Sequence, residues 1–177
     1  MSREVPQLRP GVRLARHAAL VPLSRDHHEV LVHARELRRA AESGDVERLS
    51  AITLSYLRYF RDVLTGHFAD EEEVLLPAIS SLAGVVARIG VEHAEVRNLT
   101  VRMAEAARAG RASADLARQL GQLLHDHVRY EERAAFTEIQ KSLDEAQLAE
   151  LGESIERHRS ERGVAPGCPL PTRISER

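Results

Sequence analysis

Four stretches of this chain repeat apolar residues at three- and four-residue steps, with turn-forming residues between them. That period is the strongest constraint on the fold, because a stripe recurring every 3.6 residues is buried efficiently only by a helix. The first stretch, from Ser24 to Ala41, is lined by Leu23, Val30, Leu31, Ala34, Leu37 and Ala41. "ESGD" (42–45) breaks the pattern and places Asp45 to cap the next helix. The second runs to about Pro77 through Leu49, Ile52, Tyr56, Phe60, Val63, Leu64, Val74 and Leu75. After a loop near "AISS", the third spans about Leu82 to Ala109 and stops at Gly110; the fourth runs from near Ser113 to about Gln140. "SLDE" (142–145) matches a capping box, Ser142 with Glu145, and opens a fifth helix to about Arg159. No strand pattern intervenes. The expectation is an all-α chain: an antiparallel four-helix bundle over 22–141, an irregular N-terminal arm at 1–21, and an additional C-terminal helix with an irregular, Pro-rich arm at 142–177.

Composition removes several classes of function. With 177 residues, the chain suits one domain with a real core. A formal net charge of -2 provides no global attraction to nucleic acid or membrane. The absence of Trp and the 3% aromatic content leave little for base stacking. The single cysteine, Cys168, excludes an internal disulfide, fits a reducing compartment and is read as a free surface thiol. "MSREVPQLRP" lacks a secretory apolar region, and "LLPAISSLAGVVARIGV" carries Pro77, two serines and Arg88, a poor membrane span. The expected location is cytoplasmic.

Two repeats of polar residues interrupt the apolar stripes. His67 is followed by Glu71 and Glu72, and His127 by Glu131 and Glu132. A surface His–Glu pair one turn apart is common on helices. Here, however, Phe60, Val63, Leu64, Val74 and Leu75 share the face of the first pair, and Leu120, Leu123, Leu124, Ala134 and Ala135 that of the second. Both pairs therefore point inward, where a carboxylate is costly unless paired or bound to metal. The second repeat aligns "DHHEV" with "EHAEV" and matches His27 to His93. His27 lies on its helix's apolar stripe; its neighbour His28, the alternative, turns toward Ser24, Arg35 and Arg39 and is read as solvated.

Heights along the helices agree in part. His67 and His93 are each about 13 residues from a turn near residue 80. His27 and His67 are about 17 and 23 residues from residue 44, a gap of about 9 Å at 1.5 Å per residue. Four histidines and two glutamates thus converge on one layer. They exceed the shell of a closed structural zinc site and suit two metal ions, each taking two histidines, with both carboxylates bridging. Nitrogen-rich ligands with open positions favour iron. The Glu-x-x-His spacing of ferritin-like proteins is absent, and "HEVLVH" (28–33) is one residue too long for a zincin.

The combination "DHHEVL", "HFADEEEVLLP", "VEHAEVRNL" and "HVRYEERAAF" resembles the hemerythrin-like (HHE cation-binding) family over about residues 20–140. The resemblance implies two non-haem iron ions, carboxylate-bridged and with an oxo bridge as the further expectation. The implied ligands are His27, His67, Glu71, His93, His127 and Glu131, with His27 and His67 on one iron and His93 and His127 on the other. It also implies reactivity toward O₂, peroxide or NO, with roles in oxidative or nitrosative stress or in maintaining iron centres. The alternative is a non-catalytic iron or oxygen sensor or an iron-binding protein. Oxygen carriers of the family have a further histidine one turn after the third-helix histidine; here that position is Arg97, which argues against reversible O₂ carriage. Two readings of Arg97 stand: it reaches the metal layer or pairs with Glu72 or Glu132, or it extends to solvent. Tyr56, Tyr130, Glu72 and Glu132 are further candidates beside the ligands, with ordinary core or boundary packing as the alternative for the tyrosines. His125 is read as solvated, and His17, His33 and His158 are given no role. The fifth helix and tail are the segments free to dock a partner or close a dimer.

Overall fold

The computed structural model describes residues 15–163, and among them every regular element is helical. A short 3-10 turn at Ala18–Leu20 leads into α1 (Val21–Glu42). His17 Nδ1 accepts the Ala19 amide at 3.2 Å to start that turn. Pro22 lies in the first turn of α1, where its missing N–H has no helical partner to lose. Helical structure thus begins inside the arm expected to be irregular to residue 21. Gly44, at φ 70, makes the left-handed turn that ends α1, and Asp45 caps α2 (Val46–Tyr59) by accepting the Arg48 amide at 2.9 Å.

The second long helix is not uniform. After α2 comes a π-helical turn, Phe60–Leu64, then α3 (Thr65–Asp70), a second π-helical turn, Glu71–Leu75, and α4 (Leu76–Ala78). The third long helix is α5 (Ala83–Arg108), closed by Gly110 at φ 69. The fourth begins at the Ser113 cap with α6 (Ala114–Tyr130), passes through a π-helical turn at Glu131–Ala135, and ends as α7 (Phe136–Ser142). A separate helix, α8 (Glu145–Glu161), follows.

The π turns correct the regular stripe drawn from sequence. Each inserts one extra residue per turn and moves its neighbours around the axis. Val63, expected beneath His67, is exposed, while Leu64 is buried. Ala134, expected inward, is exposed, while Ala135 is buried. The turn at Phe60–Leu64 also absorbs one residue of the height surplus between His67 and His27; no single feature accounts for the rest. A second correction concerns α8. Its cap is Asp144, not Ser142: Asp144 accepts the Gln147 amide, and the Gln147 side chain accepts the Asp144 amide, both at 2.9 Å. Ser142 instead donates to the Ile139 carbonyl at the end of α7.

α1 packs against α6 and α2, and α5 packs against the same two. The apolar side chains form two separate clusters. One contains Val30, Leu64, Phe68, Val96 and Val128. The other contains Leu23, Leu75, Ile89, Ala135 and Phe136. Each long helix passes from one cluster to the other through a short polar interval, and those intervals lie side by side. α8 closes the second cluster with Leu148, Leu151 and Ile155, whose burial stabilises the docked helix by about 1.5–3 kcal/mol per side chain. No helix among the described residues is long and apolar enough to cross a membrane. Cys168 lies outside the described residues.

Candidate metal centre

The polar interval between the two clusters contains all six residues singled out as ligands. His27 sits on α1, His67 on α3 and Glu71 at the start of the π turn that follows, His93 on α5, His127 on α6 and Glu131 at the start of its π turn. All six are buried. They form two quartets, His27–His67–Glu71–Glu131 and Glu71–His93–His127–Glu131, in each of which the potential ligand atoms lie within 4.8 Å of one another. The two glutamates belong to both quartets. The paired imidazoles are close, with ring centroids 5.0 Å apart for His27 and His67 and 4.9 Å for His93 and His127. His28 is exposed, as expected from its angle on α1.

Each inward histidine has a carboxylate behind it. The Nδ1–H of His27 donates to Glu132 at 2.7 Å, that of His67 to Asp26 at 3.2 Å, that of His93 to Glu72 at 2.8 Å, and that of His127 to Glu92 at 2.8 Å. A carboxylate can only accept, so this contact fixes the ring proton on Nδ1. The Nε2 lone pair then points into the centre, the tautomer a metal ligand needs. The contacts are reciprocal: α1 uses an acid from the fourth long helix and gives one to the second, while α5 uses an acid from the second and gives one to the fourth. Glu72 and Glu132 thus stand where the sequence suggested, beside the ligands. Asp26 and Glu92 were missed, although the aligned "DH" and "EH" pairs held the signal: an acid directly before each matched histidine.

The inner atoms show what the centre is for. His27 Nε2, His93 Nε2, His127 Nε2 and both oxygens of Glu71 and Glu131 are buried without a hydrogen-bond partner. They nevertheless crowd together: His27 Nε2 is 3.0 Å from Glu131 Oε2, and His93 Nε2 is 3.1 Å from Glu71 Oε2. Lone pairs facing lone pairs in an apolar interior are unfavourable unless positive charge lies between them. In the metal-free protein that charge is a proton. Burial opposes protonation of His27, but Glu131, Glu132 and Glu71 outweigh it and raise its pKa well above the ordinary range. His127 is raised in the same way, against burial, by Glu131, Glu92 and Glu71. Burial favours the neutral acid at Glu71, yet His67, His27 and His93 hold its pKa well below the usual carboxylate range. The donor set therefore fits metal cations: two buried nitrogens and two shared carboxylates for each of two positions.

The other candidates resolve individually. Arg97 does not enter the layer; its guanidinium forks onto Glu72 at 2.7 and 2.8 Å and remains 41% exposed. Tyr56 is core, its hydroxyl 3.0 Å from that of Thr100, and burial raises its pKa despite that bond. Tyr130 lies under Arg88, 3.6 Å from the ring centroid. His125 is partly exposed and bonds Asp126. His33 stacks on Tyr59 at 4.1 Å. His158, given no role, donates to the buried Asp70 at 2.9 Å and helps dock α8.

A family model, the hemerythrin HHE cation binding domain, matches residues 19–139. A protein named DNA nickase from Nostoc sp. (strain PCC 7120 / SAG 25.82 / UTEX 2576) is 29% identical over 124 residues, covering 69% of this chain and 33% of that protein. The chain thus spans a third of the length of that relative. No solved structure matches. The six convergent side chains lie within the matched stretch, and the chain belongs to the hemerythrin HHE cation-binding family.

Proposed function

We propose that this chain is an antiparallel four-helix bundle that would hold two non-haem iron ions, with Glu71 and Glu131 shared between them. His27 and His67 bind one ion, and His93 and His127 the other. The observation that carries the reading is the pair of overlapping quartets, whose inner atoms are buried and unpartnered. Four protein ligands per ion leave coordination positions open, as iron sites reactive toward oxygen require. When bound, a ferrous pair supplies two electrons and open positions to a small oxidant such as O₂ or peroxide, and binds NO.

The chain's own residues do the rest. The Nδ1–carboxylate contacts hold each ring at a fixed angle and keep its Nε2 free of a proton once metal is present. Glu71 and Glu131 offset two of the four positive charges of a divalent pair. The apolar clusters on either side keep the inner ligand atoms out of solvent. Arg97, turned outward onto Glu72, provides no extra histidine for one ion, so the two halves stay nearly equivalent. That near-symmetry supports chemistry on peroxide, O₂ or NO over reversible O₂ carriage. DNA cleavage is not part of the reading: the stretch shared with the Nostoc protein is a third of it, and a net charge of -2 offers no general attraction to a phosphate backbone.

The test is iron loading under anaerobic conditions followed by elemental analysis, optical spectroscopy, and assays of gas evolution from peroxide and of NO uptake. About two irons per chain, near-ultraviolet charge-transfer absorption after oxidation, and reaction with peroxide or NO are expected. A colourless protein that retains only zinc after iron-replete expression would refute the assignment.

A further inference from the structure

The centre has an internal two-fold pattern that the supporting arginines break. Glu92 and Glu72, the acids behind His127 and His93, each receive an arginine from α5 itself. Arg88 donates to Glu92 at 2.8 Å, and Arg97 forks onto Glu72. The matching positions on α1, counted from His27 as Arg88 and Arg97 are from His93, are Pro22 and Leu31. Neither can hold a carboxylate, yet the acids that serve the His27/His67 pair are not left without a cation. Arg16, ahead of α1, donates to Glu132 at 2.5 Å. Arg159, on α8, donates to Asp26 at 2.5 Å through one Nη and to the buried Asp70 at 2.7 Å through Nε.

The substitution of Arg16 for Arg97 extends to aromatic packing. Arg97 lies over Phe68, 5.2 Å from its centroid, and Phe68 stacks on His93 at 3.8 Å. Arg16 lies over Phe136, 4.5 Å from its centroid, and Phe136 stacks on His27 at 5.5 Å. In both places one arginine clamps the acid behind a histidine and the ring on that histidine's face. Both Arg16 and Arg159 fall outside the stretch matched by the family model.

We propose that Arg16 and Arg159 are positioning residues that complete the His27/His67 half of the centre, so that metal retention there depends on the segment before α1 and on the docked α8. This rests on the two-metal reading above. Each guanidinium holds its acid in the place that orients the histidine.

The test is ferrous iron binding to the full chain, measured anaerobically by chelator competition, with the Mössbauer spectrum of ⁵⁷Fe-loaded protein as the site-resolved readout. Wild type is expected to bind two ions. Arg159→Gln and Arg16→Gln each weaken one of the two on the order of 10-fold, the low end of what losing an outer ligand does. Arg88→Gln weakens the other ion, and the spectral component it disturbs differs from the one disturbed by Arg159→Gln. Asp26→Asn combined with Arg159→Gln costs no more than Asp26→Asn alone, because both act through one contact. Arg162→Gln, at the C-terminal end of α8, removes another contact to Asp70 but none to Asp26, and leaves iron affinity unchanged. Equal losses in Arg162→Gln and Arg159→Gln would mean the arginines merely anchor α8, and would overturn the proposal. Two ions bound with unchanged affinity in Arg159→Gln would overturn it alone; fewer than two in wild type would overturn it together with the two-metal reading.

Discussion

Glu71 and Glu131 occupy equivalent places in different helices: each follows an inward histidine by four residues, each is fully buried, and each opens a π-helical turn. π turns recur at functional sites because the extra residue re-aims side chains that a regular helix would place elsewhere. Membership of both quartets makes the two glutamates unequal to the histidines in consequence. Glu71→Gln weakens both positions and should leave well under one iron per chain, whereas His27→Ala removes a ligand from one position and should leave about one of the two. Elemental analysis of the two variants side by side checks this. Equal iron content in both would contradict the shared role of Glu71.

Protonation of the metal-free centre gives the protein an unusual pH profile. His27 and His127 have raised folded pKa values, so their contribution to stability is complete below the unfolded value of 6.5 and is lost as pH rises through the folded values. Glu71 and Glu132 have lowered values despite burial: His67, His27 and His93 face Glu71, and His27, Ser24 and Arg16 face Glu132. Their contribution is complete above 4.5 and is lost as pH falls, that of Glu132 toward about 2. The metal-free protein should therefore be most stable between these limits and weaken on the alkaline side. Bound metal replaces the protons, so the loaded form should not show the alkaline loss. The melting-temperature gap between the two forms is predicted to widen from about pH 5 to pH 8. A gap that stays constant across that range would count against proton–metal competition at these histidines.

Glu92 offers a test away from the inner ligands. It accepts from His127 Nδ1 on one side and Arg88 on the other. Glu92→Gln keeps the volume but lets the amide nitrogen face the ring, so the His127 tautomer is no longer fixed. Metal affinity should drop by about 10- to 100-fold, and the metal-free protein should also lose stability, because Glu92 helps hold the charge on His127. Chelator competition on purified Glu92→Gln reads this directly, and affinity within twofold of wild type would remove Glu92 from the centre's support.

The inner layer was legible in the sequence because an acid or imidazole inside an apolar stripe stands out against it. The period alone placed His27, His67, His93 and His127 inward and turned His28 outward. The stripe misled where the helix was not regular: Val63 and Ala134 lie on π turns, and nothing in an apolar pattern announces an inserted residue. The capping of α8 failed for a local reason, since Ser142 and Asp144 are both good caps and only the path of the chain out of α7 selects Asp144. Asp26 and Glu92 were readable in principle, because they repeat in register with the histidines. Arg16 and Arg159 were not: their partners lie 116 and 133 residues away in sequence, and no spacing rule spans such a distance.

Gly121 on α6 sets how closely the fourth long helix approaches α1. A Cβ there would lie 2.6 Å from the Ala34 carbonyl oxygen and 3.3 Å from Leu37 Cβ. The first contact is with backbone, so no rotamer change relieves it and α1 has to move. In an open helical position the same substitution is favourable, and Gly90→Ala on α5, which would meet nothing within 4 Å, should gain about 0.5–1 kcal/mol. Gly121→Ala should instead lose about 1–3 kcal/mol, lowering the melting temperature by about 2–4 °C per kcal/mol in a chain of this size. The shift also separates the helices that carry His27 and His127, so iron affinity should fall with stability in Gly121→Ala and stay unchanged in Gly90→Ala. Thermal melts and chelator competition on both variants separate the outcomes. Gly121→Ala with wild-type affinity would mean that the close α1–α6 contact supports the fold without setting the metal geometry.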